Sequence, residues 1–319
     1  MQVSQGRGDE QLIRCASDRY RRRPHYQRPA SARYTETMSI SLAYSVDADD
    51  AFMFHALRAG GVDTRGLSFT HQRGDTSELN ALAGAGEIDV LAISAGAYPG
   101  VAGKYLILPH GASVGRGFGP VVVARQPMAL ADLAGRRVGI PGLSTTAWLV
   151  LRQMQSGLLP VVVPIVPFGR IFECLDAGTI DAALLIHEGR LIYQSRGYAR
   201  IAELGEWWQA ETGLPLPLGV NVIRRGLGAE TIARVSAVLR DAIAYALDHR
   251  DEVLRVLAAE KRGEAALAQT ALLDRYLAMY ANDDTRAMAP DARRAIEVLF
   301  DRAAKAGLLP ADCRIDWAP

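Results

Sequence analysis

The reactive side chain with the most telling position in this sequence is His187, which with Glu188 follows the apolar run Ala183–Ile186 in the segment ALLIHEGRLIY. An imidazole, with an unperturbed pKa of about 6.5, is suited to take up a proton near neutral pH. A histidine on an apolar strand is also commonly a hydrogen-bonded core residue, so it is the place at the strand's end that favours chemistry. Glu188 either orients the ring or is solvated. His55, His71, His110 and His249 have no comparable setting.

Three other apolar runs stop in polar residues. ISLAYS ends at Ser45 and is followed by Asp47, Asp49 and Asp50; VLAIS ends in Ala92, Ile93 and Ser94; VGIPG leads to Ser144, Thr145, Thr146 and Ala147. At the start of the helical pattern TTAWLVLRQM, a threonine hydroxyl satisfies orphan backbone N–H groups as an N-cap. The remaining N–H groups and the helix dipole suit a carboxylate or another anion, with the hydroxyls as further contacts. The three aspartates read as a helix cap with acidic first-turn residues. Their segment lacks the glycine and distal glutamate of a calcium loop, and no metal is expected.

The glycine-rich stretch GASVGRGFGPVVV precedes a strand, the reverse of the order in dinucleotide and phosphate loops. Its glycines fit a tight connection and a close backbone approach. There is no nucleophile elbow and no cysteine beside a histidine. Cys15, Cys174 and Cys313 lie far apart, without the spacing of a disulfide framework, a zinc site or a redox pair, which points to a reducing compartment.

These residues need a scaffold that brings strand ends together. From Ser39 the pattern is strand, turn, helix, repeated: ISLAYS, DADDAFMFHALRAGG, LSFTHQ, DTSELNALAGAG, IDVLAIS. It restarts after GPVVVAR with VGIPG, TTAWLVLRQMQSG, PVVVPIVP, GRIFECLDAGT and DAALLI, and LPLGVNVIRR reads as a further strand. Beyond it, apolar residues recur at three and four, as in helices. Alternating strands and helices predict parallel pairing and an α/β fold. Two α/β lobes are expected, residues 38–124 with 224–319 and residues 125–223, with a ligand cleft between them where the strands' carboxyl ends meet.

Composition limits the partners. Apolar residues make up 49% and charged residues 22% of 319, with a formal net charge of +1. No basic footprint for nucleic acid or an anionic membrane follows from that balance. Apolar runs such as LLPVVVPIVPF fall far short of the roughly 20 residues that span a bilayer. A small-molecule ligand is the partner expected. Residues 1–37 hold many arginines and no apolar run of a secretory signal, and read as a disordered arm, or as sequence upstream of a start at Met38.

Taken in order, YSVDADDAFMFHAL, SVGRGFGPVVVAR, GIPGLSTTAWLVL and DAALLIHEGRLIYQSRGYARIAELGEWWQAETGLPLPLG resemble the 1,4-dihydroxy-6-naphthoate synthase family of the futalosine route to menaquinone. The resemblance runs from about Ile40 to the C-terminal helices. It implies a two-lobed fold like that of type II periplasmic binding proteins, working in the cytoplasm as an enzyme. It implies conversion of cyclic dehypoxanthinyl futalosine to 1,4-dihydroxy-6-naphthoate, a lyase reaction without metal or redox cofactor. The family's proton-accepting histidine falls on His187. Its substrate-contacting positions fall on Ala92, Ile93, Ser94, Thr145, Thr146 and Ala147, with Ser45 closing the first strand. Many members carry a lysine where this chain has Ala92, and read SPCPND where it has SVDADD. A solute-binding protein of an ABC transporter and the sibling chorismate dehydratase are the alternatives on the same fold.

Overall fold

The computed structural model describes residues 38–260 and 269–319. The expected arm at residues 1–37 lies outside the described residues.

Eleven strands fall in the described chain: β1 (Met38–Ser45), β2 (Leu67–Gly74), β3 (Val90–Ser94), β4 (Tyr105–Ile107), β5 (Ser113–Gly115), β6 (Val121–Ala124), β7 (Arg137–Ile140), β8 (Leu159–Val162), β9 (Ala182–Leu185), β10 (Ala199–Glu203) and β11 (Leu216–Arg224). They form two sheets. The first has the order β2-β1-β3-β11-β4, with β5 also on β11; the second has the order β10-β6-β9-β7-β8.

Parallel pairing holds where a helix intervenes. β1 runs parallel to β2 and β3, and β7 to β8 and β9. Against the expectation of wholly parallel sheets, β11 is antiparallel to β3, and β6 is antiparallel to β9 and β10. These two are the strands on which the chain changes sheet, so each arrives from the opposite direction. They also move the expected lobe limits: residues 121–124 pair in the second sheet, and residues 216–223 pair in the first. An apolar strand such as β6 reads alike in either sheet, so the sequence pattern marks neither change of sheet.

Helices cover the sheets with the faces their periodicity dictates. Helix Ala229–Asp248 buries Val235, Val238, Leu239 and Ile243 in one cluster with Ile40, Leu42 and Val90 of the first sheet. Helix Pro290–Lys305 buries Ile296 and Leu299 with Leu91 and Val222 on the other face. Burying a leucine or isoleucine side chain contributes about 1.5–3 kcal/mol, so these stripes hold the C-terminal helices on the first sheet. Helix Leu204–Thr212, within the GEWW segment, was not anticipated; it buries Trp208 completely, with the indole N–H donating to the Pro215 carbonyl at 3.0 Å. The glycine-rich connection allows close approach as expected, since a Cβ on Gly115 or Gly205 would collide with the backbone of Phe118. Among the described residues no helix is long and apolar enough to cross a membrane.

Candidate active site

β1 delivers the first part of the site. It ends at Ser45, and Asp47 caps helix Ala48–Met53, its Oδ1 accepting the Asp50 N–H at 3.3 Å. To that extent the aspartates are the helix cap the sequence suggests. The other oxygen of the same carboxylate does something else. Asp47 Oδ2 lies 2.8 Å from His187 Nδ1, across from the first sheet to the end of β9 in the second.

His187 is one of two non-glycine residues with positive φ among those described, at 51°. Histidine enters this left-handed region more readily than most side chains, but the conformation is strained and needs support from its surroundings. That support converges from three sides. Besides Asp47, Thr76 Oγ1 sits 3.2 Å from Nε2, and the Tyr276 hydroxyl sits 3.3 Å from Nδ1. Glu188 is not the solvated residue that one reading allowed: it is 2% exposed, and its Oε1 accepts the Ala48 N–H at 3.1 Å.

Asp49 and Asp50 also depart from the picture of solvated first-turn acids. Asp49 accepts from Ser113 Oγ at 2.7 Å and from the Tyr276 hydroxyl at 3.0 Å, and Asp50 accepts the Ser45 N–H at 2.6 Å. Three buried carboxylates around one imidazole polarise the site. Burial by itself would push the His187 pKa down, but the adjoining Asp47 charge and hydrogen bond outweigh it and raise the pKa to about 10. Burial would push Asp47 up, and His187 pulls it below the usual carboxylate range. Asp50 is raised to about 7 by burial and then by the Asp47 charge, while Asp49 is raised well above its ordinary value by burial and by both neighbouring aspartates. Asp47 and His187 therefore form an ion pair, and Asp49 holds its proton.

Next to this network is a cavity lined by residues of both lobes. Ser45, Ala92, Ile93 and Ser94 line it from the first sheet, and Thr145, Thr146, Ala147 and His187 from the second lobe. Ser144 does not join them; it takes a hydrogen bond from Asn80 Nδ2 at 3.1 Å. Asp47, Asp49, Thr76, Tyr276 and Asn221 also line the cavity and were missed as site residues. Tyr276 comes from helix Thr270–Tyr280, and no sequence signal connects it with His187, 89 residues away.

The threonine hydroxyls are already engaged within the protein. Thr145 Oγ1 accepts from Trp148 N–H at 3.3 Å and donates to the Gly142 carbonyl at 2.9 Å. Thr146 Oγ1 accepts from Gly96 N–H at 2.9 Å and donates to the Leu218 carbonyl at 2.7 Å. Of the contacts expected for an anion here, the backbone N–H groups are the ones left open at the helix start. Of the first-turn N–H groups of helix Thr146–Met154, that of Trp148 is capped by Thr145, while those of Thr146 and Ala147 have no intrahelical acceptor and belong to residues on the cavity wall. Thr145→Val, which keeps the shape and removes the cap, should lower stability by about 1 kcal/mol. Urea unfolding measures this; an unchanged midpoint would mean the cap contributes nothing.

A divalent cation also finds candidate ligands here, because donor atoms of Asp47, Asp49 and His187 lie within 4.8 Å of one another. The same atoms are engaged with one another and with Ser113 and Tyr276, so a cation would have to displace that network. What the arrangement offers directly is proton transfer: an imidazole oriented through Nδ1, with Nε2 beside Thr76 on the cavity wall.

Two curated relatives carry the name 1,4-dihydroxy-6-naphtoate synthase. That of Streptomyces coelicolor is 36% identical over 279 residues, covering 86% of this chain and 95% of its own. That of Thermus thermophilus is 34% identical over 270 residues, covering 85% and 96%. A crystal structure of a protein from Archaeoglobus fulgidus superposes with a TM-score of 0.79 at 39% identity, over 85% of this chain and 98% of that one. The alkanesulfonate-binding protein of Xanthomonas axonopodis pv. citri, at 14% identity and a TM-score of 0.64 over 85% of this chain and 94% of its own, shares the fold alone, which is that of periplasmic binding proteins. Residues 40–305 match the family described as menaquinone biosynthesis, and with two curated relatives above 30% identity over most of their length, the chain belongs to that family.

Proposed function

We propose that the chain is a 1,4-dihydroxy-6-naphthoate synthase. It takes cyclic dehypoxanthinyl futalosine to 1,4-dihydroxy-6-naphthoate and a sugar-derived fragment, as a cytoplasmic lyase that needs no metal or redox cofactor. The observation that carries the reading is the Asp47–His187 pair, built from two lobes onto the wall of one cavity. His187 Nε2 removes a proton from a carbon of the sugar part, and the C–H electron pair stays with the substrate. Asp47 stabilises the imidazolium that forms and holds the ring in the tautomer that keeps Nε2 available. The imidazolium returns its proton to the group that departs. The carboxylate of the substrate is held by the free N–H groups at the start of helix Thr146–Met154, with Ser94 beside it and Ile93 and Ala92 further along the same strand.

The rival on this fold is a binding protein without chemistry. Incubating the purified protein with cyclic dehypoxanthinyl futalosine and following the mixture by mass spectrometry separates the two. Formation of the naphthoate over many turnovers is expected. Tight binding of intact substrate with no product would support the rival instead.

A further inference from the structure

One polar side chain on the cavity has no task in the mechanism above. Asn221 lies in the middle of β11, directly across from Ala92 of β3. Its backbone carbonyl is used, accepting the Leu108 N–H at 2.8 Å. Its side chain is 1% exposed, and neither Nδ2 nor Oδ1 meets a protein partner among the described residues. Leaving both ends of a buried amide unpaired is costly, and a fold retains such a group where something else pairs with it. Gly111 reinforces the point. It has φ +80°, and a Cβ there would run into the Asn221 amide, so a bare backbone makes room for this side chain.

Asn221 presents N–H donors and an acceptor oxygen side by side, and it lies further along β11 than the residue tied to the helix start. Along β11 it is three residues beyond Leu218, whose carbonyl is tied to Thr146 at the helix start, which places it about 10 Å along the strand from that contact. Among the described residues no lysine or arginine lines the cavity, whereas Asp47, Asp49 and Asp50 do. A carboxylate beside Asn221 would face the amide oxygen, and the cation on the cavity wall, His187, is already paired with Asp47. A hydroxyl or a hydroxyl–carbonyl pair satisfies both ends of the amide without charge.

We infer that Asn221 binds the uncharged, hydroxyl- or carbonyl-bearing end of the ligand on the β11 wall of the cavity, and so fixes the substrate with its carboxylate toward helix Thr146–Met154. The inference rests on the proposed reaction for the identity of the ligand's two ends.

Three probes test it by titration calorimetry under nitrogen: 1,4-dihydroxy-6-naphthoate, 1,4-dihydroxynaphthalene without the carboxylate, and 2-naphthoate without the hydroxyls. Asn221→Leu should weaken both dihydroxy probes about tenfold or more and leave 2-naphthoate within about twofold. Asn221→Ala, which adds no volume, should give the same ordering. Because the side chain has no protein partner to lose, the ligand-free Asn221→Ala protein should unfold within about 2 °C of wild type. Equal weakening of all three probes, or a large loss of stability without ligand, would overturn the inference and make Asn221 a packing residue. Wild-type turnover of cyclic dehypoxanthinyl futalosine is measured alongside. Product formation with no Asn221 effect overturns this inference alone, and a hydroxyl preference with no product overturns the reaction alone.

Discussion

Replacing Asp47 with asparagine moves the pH at which kcat/KM levels off from about 10 down by roughly three units. The sign follows from the pair. In the free protein His187 is held as imidazolium by Asp47, and only neutral imidazole accepts a proton, so wild-type kcat/KM should climb about tenfold per pH unit from neutrality toward the raised pKa. Without the Asp47 charge, burial dominates and neutral imidazole prevails at lower pH. The limiting rate should fall at the same time, because asparagine no longer fixes the tautomer or stabilises the imidazolium. Stability follows the same linkage: the contribution of His187 is full below its ordinary value of about 6.5 and is lost as pH rises through about 10. Steady-state kinetics across pH 6 to about 10.5 on both proteins checks the shift. A common inflection would separate Asp47 from the base.

His187→Asn should lose on the order of 10² to 10⁴ in kcat while the protein stays folded and still binds 1,4-dihydroxy-6-naphthoate. Asparagine tolerates the left-handed backbone at this position and can donate to Asp47, so fold and ion-pair partner are disturbed little. Thermal unfolding and turnover on the same preparation discriminate the roles. A structural histidine forecasts the reverse pattern, with a lowered midpoint and near-normal turnover per folded molecule.

Much of this was legible because strand ends announce themselves. Apolar runs stopping at Ser45, Ser94, Thr145 and His187 predicted a common cleft, and all four residues line one cavity. Asp47 was legible only as a cap, since its second oxygen acts on a residue 140 positions away and local spacing carries no trace of that. Tyr276 and Asn221 were not legible at all. The first looks like one apolar position in an amphipathic helix, and the second like a lone polar residue in a buried strand. Both acquire meaning only when the helix and the strand pack beside β1 and β3. That the Thr145 and Thr146 hydroxyls are engaged within the protein was hidden for a related reason: a buried hydroxyl near backbone is satisfied locally first.

Chemical rescue tests the central claim most directly. His187→Gly suits the positive φ of this position, removes the base and opens an imidazole-sized space on the cavity wall. With cyclic dehypoxanthinyl futalosine as substrate, this variant should be nearly inactive alone and should regain turnover, saturably, as free imidazole is added, with a pH dependence that follows the added base. Near-normal turnover of folded His187→Gly without any added base would contradict the account.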